Sequence, residues 1–115
     1  MAIIEGVKRG TVELLILTLL QSEDMYGYQL SQELSRRSNG AYKLQESSMY
    51  PTLYRLLDKG VISDRQEKTG NRRRRVYYHL EPEGVKYLEE IRAEYLAICR
   101  GVLDILEIQS IDDMK

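Results

Sequence analysis

Leucines crowd the stretch GTVELLILTLLQSED, residues 10–24, so densely that polar positions barely interrupt them. Leu14, Leu15, Leu17, Leu19 and Leu20 would point almost all round a helix, which predicts a buried helix rather than a surface one, with Thr11 as its N-cap. In YGYQLSQELSRRSNG, residues 26–40, the apolar positions thin to Leu30 and Leu34 at i, i+4, and Ser38-Asn39-Gly40 supplies a C-terminal turn. A third helix is predicted over about residues 46–59, with Met49, Leu53, Leu56 and Leu57 on one face and Gly60 as the stop. The period then falls to two. VISDRQEK, the turn TGN and RRRRVYYHL predict a hairpin whose second strand puts Val76, Tyr78 and Leu80 on one face and Arg75, Tyr77 and His79 on the other. From Pro82, a favourable first helical residue, a long helix is predicted to run to about Gln109.

That last helix has a rhythm of its own. Leu88, Ile91, Tyr95, Ile98, Val102 and Ile105 follow a heptad spacing, and Leu96, Cys99, Leu103 and Leu106 add a second stripe in its latter half. This is more apolar surface than a helix packed on one small domain can cover, so the first stripe is expected to join two copies of the chain. The predicted fold is α+β, mainly helical: a winged helix-turn-helix DNA-binding domain over residues 1–81, then a long C-terminal dimerisation helix and short tail over residues 82–115. The turn at residues 39–45 is longer than that of a simple helix-turn-helix.

Composition narrows the class. With 115 residues, 43% apolar, the chain suits one small core. A single cysteine, Cys99, excludes an intramolecular disulfide. The longest apolar run, residues 14–20, is far short of the ~20 residues that span a bilayer, and the N-terminus lacks a signal-peptide layout. A cytoplasmic protein with no membrane partner is expected. The net charge of −1 conceals a division. Residues 1–60 hold seven basic and seven acidic groups, residues 61–80 six and two, and residues 81–115 four and nine. A basic hairpin beside an acidic helix implies an anionic partner met by one part only.

The hairpin carries four consecutive arginines in TGNRRRRVYYHL. An arginine run is ordinarily a solvated surface, but this one lies in a strand, repels itself and follows a helix suited to reading DNA. Asn71, Arg72, Arg73 and Arg74 are expected at or near the tip, where a wing follows the phosphate backbone or enters a narrow minor groove. In SSMYPTLYRLL the proline falls inside a helical period. A helix interior would make it cost ~3 kcal/mol, but the cost shrinks if the helix starts near Ser47 or Ser48. The outer face of the first turns would then show Ser47, Ser48, Pro51, Thr52 and Arg55 to a major groove. An ordinary amphipathic helix would have a polar outside too; the neighbouring arginines favour double-stranded DNA as the partner.

Three blocks, MYGYQL (25–30), SSMYPTLYRLLDKGVI (47–62) and RRRRVYYHLEPEG (72–84), resemble the signature blocks of the PadR family of transcriptional regulators. The resemblance extends over nearly the whole chain and is similar to the short subfamily with a single C-terminal helix. It implies a homodimeric winged-helix repressor on a palindromic operator. Its DNA-facing roles fall on Ser47, Ser48, Tyr50 and Pro51, and its wing role on the arginines before Tyr77 and Tyr78. Two positions depart from the pattern. Gln45 and Glu46 stand where a hydroxyl cap and proline are common, so Glu46 should turn from phosphate or read a cytosine amine. Glu81 stands where threonine usually caps the last helix. With no tryptophan, the chain lacks the indole-lined dimer pore by which some short members stack flat drugs. A small-molecule effector that relieves repression is therefore an expectation with no residues of its own.

Tyrosine is the only aromatic, nine residues in all. Tyr26, Tyr28 and Tyr42 could donate to phosphates or line the core edge, and Tyr50 and Tyr54 should pack one turn apart. His79 has no second imidazole, and Cys99 no Cys or His at ligand spacing, so no metal and no cofactor are expected. Cys99 reads as a small apolar residue in the helix seam, with a thiol sensor as the sharper alternative. No nucleophile–base arrangement or glycine-rich phosphate loop is present, which points away from an enzyme. The competing function is a winged-helix adaptor whose arginines dock on an acidic protein without DNA.

Overall fold

The computed structural model describes residues 2–68, 70 and 73–109. Its elements are α1 (Ala2–Ser22), β1 (Met25–Tyr26), α2 (Gly27–Arg37), α3 (Glu46–Asp58), β2 (Ile62–Lys68), β3 (Arg74–Leu80) and α4 (Pro82–Ile105). This is the expected α+β winged helix-turn-helix with a long last helix.

The leucine-rich helix is the centre of the core. Ile16 and Leu17 are fully buried and Leu19 and Leu20 nearly so, because α2, α3, β3 and α4 all pack around α1. Its start corrects the sequence reading: the helix begins at Ala2, so Thr11 lies within it and caps nothing. A capping hydroxyl must accept from a free N–H at the helix start. The Thr11 hydroxyl instead donates to Tyr42 Oη at 2.9 Å, tying α1 to the loop before α3.

Both helices of the helix-turn-helix end as expected, in left-handed turns. After α2, Asn39 has φ 54° and the Gly40 N–H donates to the Ser35 carbonyl at 2.8 Å. After α3, Gly60 has φ 73° and the Val61 N–H reaches the Leu56 carbonyl at 3.3 Å, with both side chains buried.

The hairpin gains a third strand that periodicity did not show. β1 pairs antiparallel with β3 (Met25 opposite Tyr78, Tyr26 opposite Tyr77), giving the order β1-β3-β2. Cross-strand partners share a face. Ile62 and Leu80, Asp64 and Tyr78, Gln66 and Val76, and Lys68 and Arg74 therefore line the inner side, and Arg65 and Tyr77 the outer. Tyr78 and Leu80 are buried, as the alternation predicts. On the outer side the Arg65 guanidinium lies 5.3 Å from the Tyr77 ring centre, Tyr77 meets Tyr26 edge-on at 5.4 Å, and Arg75 covers Tyr26 at 4.3 Å. Asp24 braces this rung, accepting from Arg65 and lying 2.8 Å from His79 Nδ1.

α4 opens with Pro82 in its first turn, and its N-cap Glu81 makes no side-chain capping bond. Gly84 is buried so closely that a Cβ there would strike the Val61 carbonyl and Leu80. Leu88, expected in the dimer stripe, is instead 2% exposed in the chain's own core, and Ile91 packs on the edge of that core. The cause is α1, which runs beside the first turns of α4 and closes over them. Beyond Ile91 the stripe is bare: Ile98 is 67% and Ile105 83% exposed, with Tyr95 and Val102 exposed between them. The helix ends at Ile105 rather than near Gln109. Glu107 takes φ 60°, and the Ile108 N–H bonds the Leu103 carbonyl at 2.9 Å. Among the described residues no helix is long and apolar enough to cross a membrane.

Candidate nucleic-acid interface

α3 starts at Glu46, with extended Gln45 before it and no side-chain capping bond. This puts Pro51 just past the first turn, where its missing N–H deprives the Ser47 carbonyl of its usual donor. The exposed face that follows consists of Ser47, Ser48, Pro51, Tyr54 and Arg55. Thr52 is not part of it. It is 9% exposed and sits with Met49, Leu53 and Leu56 on the core face, because positions 49, 52, 53 and 56 fall at i, i+3, i+4, i+7. Arg55 is exposed but leans back, with its guanidinium 3.8 Å from Glu13 Oε2 on α1. Glu13 also accepts from Tyr87 of α4 and lies 3.4 Å from Lys59 Nζ, so one carboxylate links α1, α3 and α4.

Tyr50 is half-buried between the exposed and core faces. Its hydroxyl donates to Glu46 Oε1 at 2.7 Å, which with partial burial pushes its pKa up to about 12. Its ring stacks on that of Tyr54 with centres 6.0 Å apart, as the one-turn spacing predicted. The expectation that Glu46 turns from the DNA side fits this geometry. Its carboxylate is held by Tyr50 and lies over Gly27, where any Cβ would meet Glu46 Oε1 at 2.8 Å.

The arginine run divides by strand alternation. Arg75 is spent on the outer face against Tyr26. Arg74 points the other way, exposed, with a 3.4 Å contact to Gln66 Oε1. Arg73 is exposed just before the strand. Asn71 and Arg72, placed at the wing tip by the sequence reading, lie outside the described residues. Among the described residues neither Arg73 nor Arg74 has a carboxylate within ion-pair reach, whereas Arg65 bridges Asp24 and Glu67. The unrelieved positive charge of the wing thus stands beside the hydroxyl-bearing start of α3, and this juxtaposition suits a duplex.

Sequence reasoning saw Tyr54 only as a packing partner of Tyr50. It is 60% exposed at the centre of the α3 face, a position its spacing from Ser47 and Pro51 could have revealed. The Asp24–Arg65–His79 brace had no such signal, since residues far apart in sequence meet only through the β1–β3 pairing.

The model of the transcriptional regulator PadR-like family matches residues 16–90. The chain is 35% identical over 96 residues to the transcriptional regulator Rv3488 of Mycobacterium tuberculosis, covering 84% of this chain and 86% of that protein. A PadR family transcriptional regulator from Eggerthella lenta superposes with a TM-score of 0.80 at 29% identity, over 92% of this chain and 90% of that one. PadR of Bacillus subtilis, solved in complex with operator DNA, superposes with a TM-score of 0.65 at 25% identity, over 70% of this chain and 46% of that one.

Proposed function

The chain belongs to the PadR-like family of transcriptional regulators, and from that premise we propose that it is a homodimeric repressor of a palindromic operator. The family binds DNA, so the adaptor that never meets DNA falls away. The observation that carries the dimer is the bare stripe on α4, where Tyr95, Ile98, Val102 and Ile105 stand exposed in a single copy. Burying each is worth ~1.5–3 kcal/mol, which a second copy supplies through the same stripe. A two-fold pair would set its two α3 helices ~34–36 Å apart, one duplex turn, matching a palindrome.

In each half-site, Ser47, Ser48 and Pro51 approach base edges in the major groove while Arg55 turns from Glu13 to a phosphate. Asn71, Arg72, Arg73 and Arg74 lie along the adjoining minor groove. A dimer seated on a promoter excludes polymerase by its bulk, hence repression. An effector held in the α4 seam would relieve it by changing the distance between the two α3 helices.

Binding measured against salt tests the division between helix and wing. Arg74→Ala should weaken binding to every duplex and lower the salt slope by ~1. Ser48→Ala should change preference among sequences by ~1–3 kcal/mol at one position. An unaltered slope in Arg74→Ala, with unaltered affinity, contradicts the wing assignment.

A further inference from the structure

Between α3 and the inner side of the wing lies a cleft of about 410 Å³, lined by Glu46, Tyr50, Tyr54, Asp64, Arg74 and Val76 among others. If α3 enters a major groove and the wing the adjoining minor groove, one sugar–phosphate strand must cross this cleft, because such a strand is what separates the two grooves. The cleft would then meet phosphates rather than base edges. Tyr54 stands at its mouth on the exposed face of α3. Its ring is steadied by the stack on Tyr50, and Tyr50 is held by its bond to Glu46. Arg74 faces it from β3 without a carboxylate partner.

Two acidic groups line the same cleft. Asp64 is exposed on β2, opposite Tyr78. Glu46 is nearer the strand's path, and a loose carboxylate there would repel phosphate. Bonded to Tyr50 and packed over Gly27 at the N-terminus of α2, it is held back where the helix dipole favours it.

We propose that Tyr54 is a phosphate-anchoring residue, its hydroxyl donating beside Arg74 to the strand that crosses between α3 and the wing, with the Tyr50–Glu46 bond positioning it and keeping the carboxylate off that strand. This rests on the DNA-bound arrangement proposed above. It gives Tyr54 a role in affinity rather than in sequence choice.

The test compares two duplexes, one selected by the wild-type protein from a random pool and one scrambled, each over a range of salt. Tyr54→Phe keeps the ring stack and loses only the hydroxyl. It should weaken both complexes by the same factor, ~5–10-fold, the scale of a lost hydrogen bond to a charged group. Its salt slope should stay at the wild-type value, because a phenol releases no counterions, whereas Arg74→Ala lowers the slope by ~1. Tyr50→Phe should weaken binding to both, and Tyr50→Phe combined with Glu46→Gln should regain most of the loss by removing the freed charge. Unchanged far-ultraviolet dichroism certifies the fold of each variant.

Wild-type binding by Tyr54→Phe, with Arg74→Ala weakened, overturns this inference alone. A loss confined to the selected duplex also overturns it, since Tyr54 would then be reading a base. No recovery in the double variant removes the positioning role of Tyr50 and Glu46. No effect of either Tyr54→Phe or Arg74→Ala on any duplex overturns the DNA arrangement itself.

Discussion

The two halves of α4 share one heptad rhythm and have opposite surroundings. In the first half Gly84 and Leu88 are buried and Ile91 packs at the core edge, because α1 runs alongside. In the second half Ile98, Val102 and Ile105 repeat the same spacing and face no other part of the chain. Spacing therefore declares that a face is to be buried without declaring by what. Here the answer changes between Ile91 and Tyr95, within one uninterrupted helix. We read the first half as the anchor that fixes α4 to the DNA-binding domain and the second as the seam between two copies.

Truncating the anchor should have the largest effect. Leu88→Ala should destabilise the fold by ~2–5 kcal/mol, read as a lower denaturant midpoint that does not depend on how far the protein is diluted. A loss that vanished at high concentration would place Leu88 in the seam after all. Val102→Ala is the matching change on the other half. It should cost no more than ~1–3 kcal/mol, and the cost should show chiefly as weaker association, with melting more sensitive to dilution than in the wild type.

The smallest effect falls wholly on the anchored side. Burial pushes the Asp24 carboxyl up, but the hydrogen bonds and charges of His79 and Arg65 outweigh it and hold the group below its ordinary value. A carboxyl lowered on folding contributes stability in full above the ordinary carboxylate range and loses it as the pH falls through the folded value. Asp24→Asn should therefore cost about 1 kcal/mol or less at neutral pH, a cost that disappears in acid, since the brace is largely open to solvent. Its melting should depend on concentration just as the wild type's does; an altered dependence would tie the brace to the seam.

The same contrast explains what the sequence could and could not disclose. Helix positions, the strand alternation and the stops at Asn39 and Gly60 were legible because local spacing and backbone preference decide them. Thr52 was misread because its hydroxyl was given more weight than its angle on α3, although Met49, Leu53 and Leu56 already marked that side as core. Thr11 was misread as a cap because its true partner, Tyr42, lies across the fold. β1 has two residues, too few for any period to show. The split of the arginine run was half legible. Alternation separates Arg74 from Arg75, but only the pairing of β1 with β3 brings Tyr26 under Arg75. Tyr54 was placed correctly against Tyr50, yet its exposure depended on how far the wing stands from α3.

The central claim is that the second half of α4 is an interface between two copies. Sedimentation equilibrium of the whole protein, run beside Ile98→Glu, tests it most directly. The account predicts a wild-type particle of twice the 13.4 kDa chain mass that holds at micromolar concentration. For Ile98→Glu it predicts a 13.4 kDa species or a chain that no longer stays folded. A wild-type protein that sediments as a folded 13.4 kDa monomer across that range, with Ile98→Glu identical to it, would contradict the account.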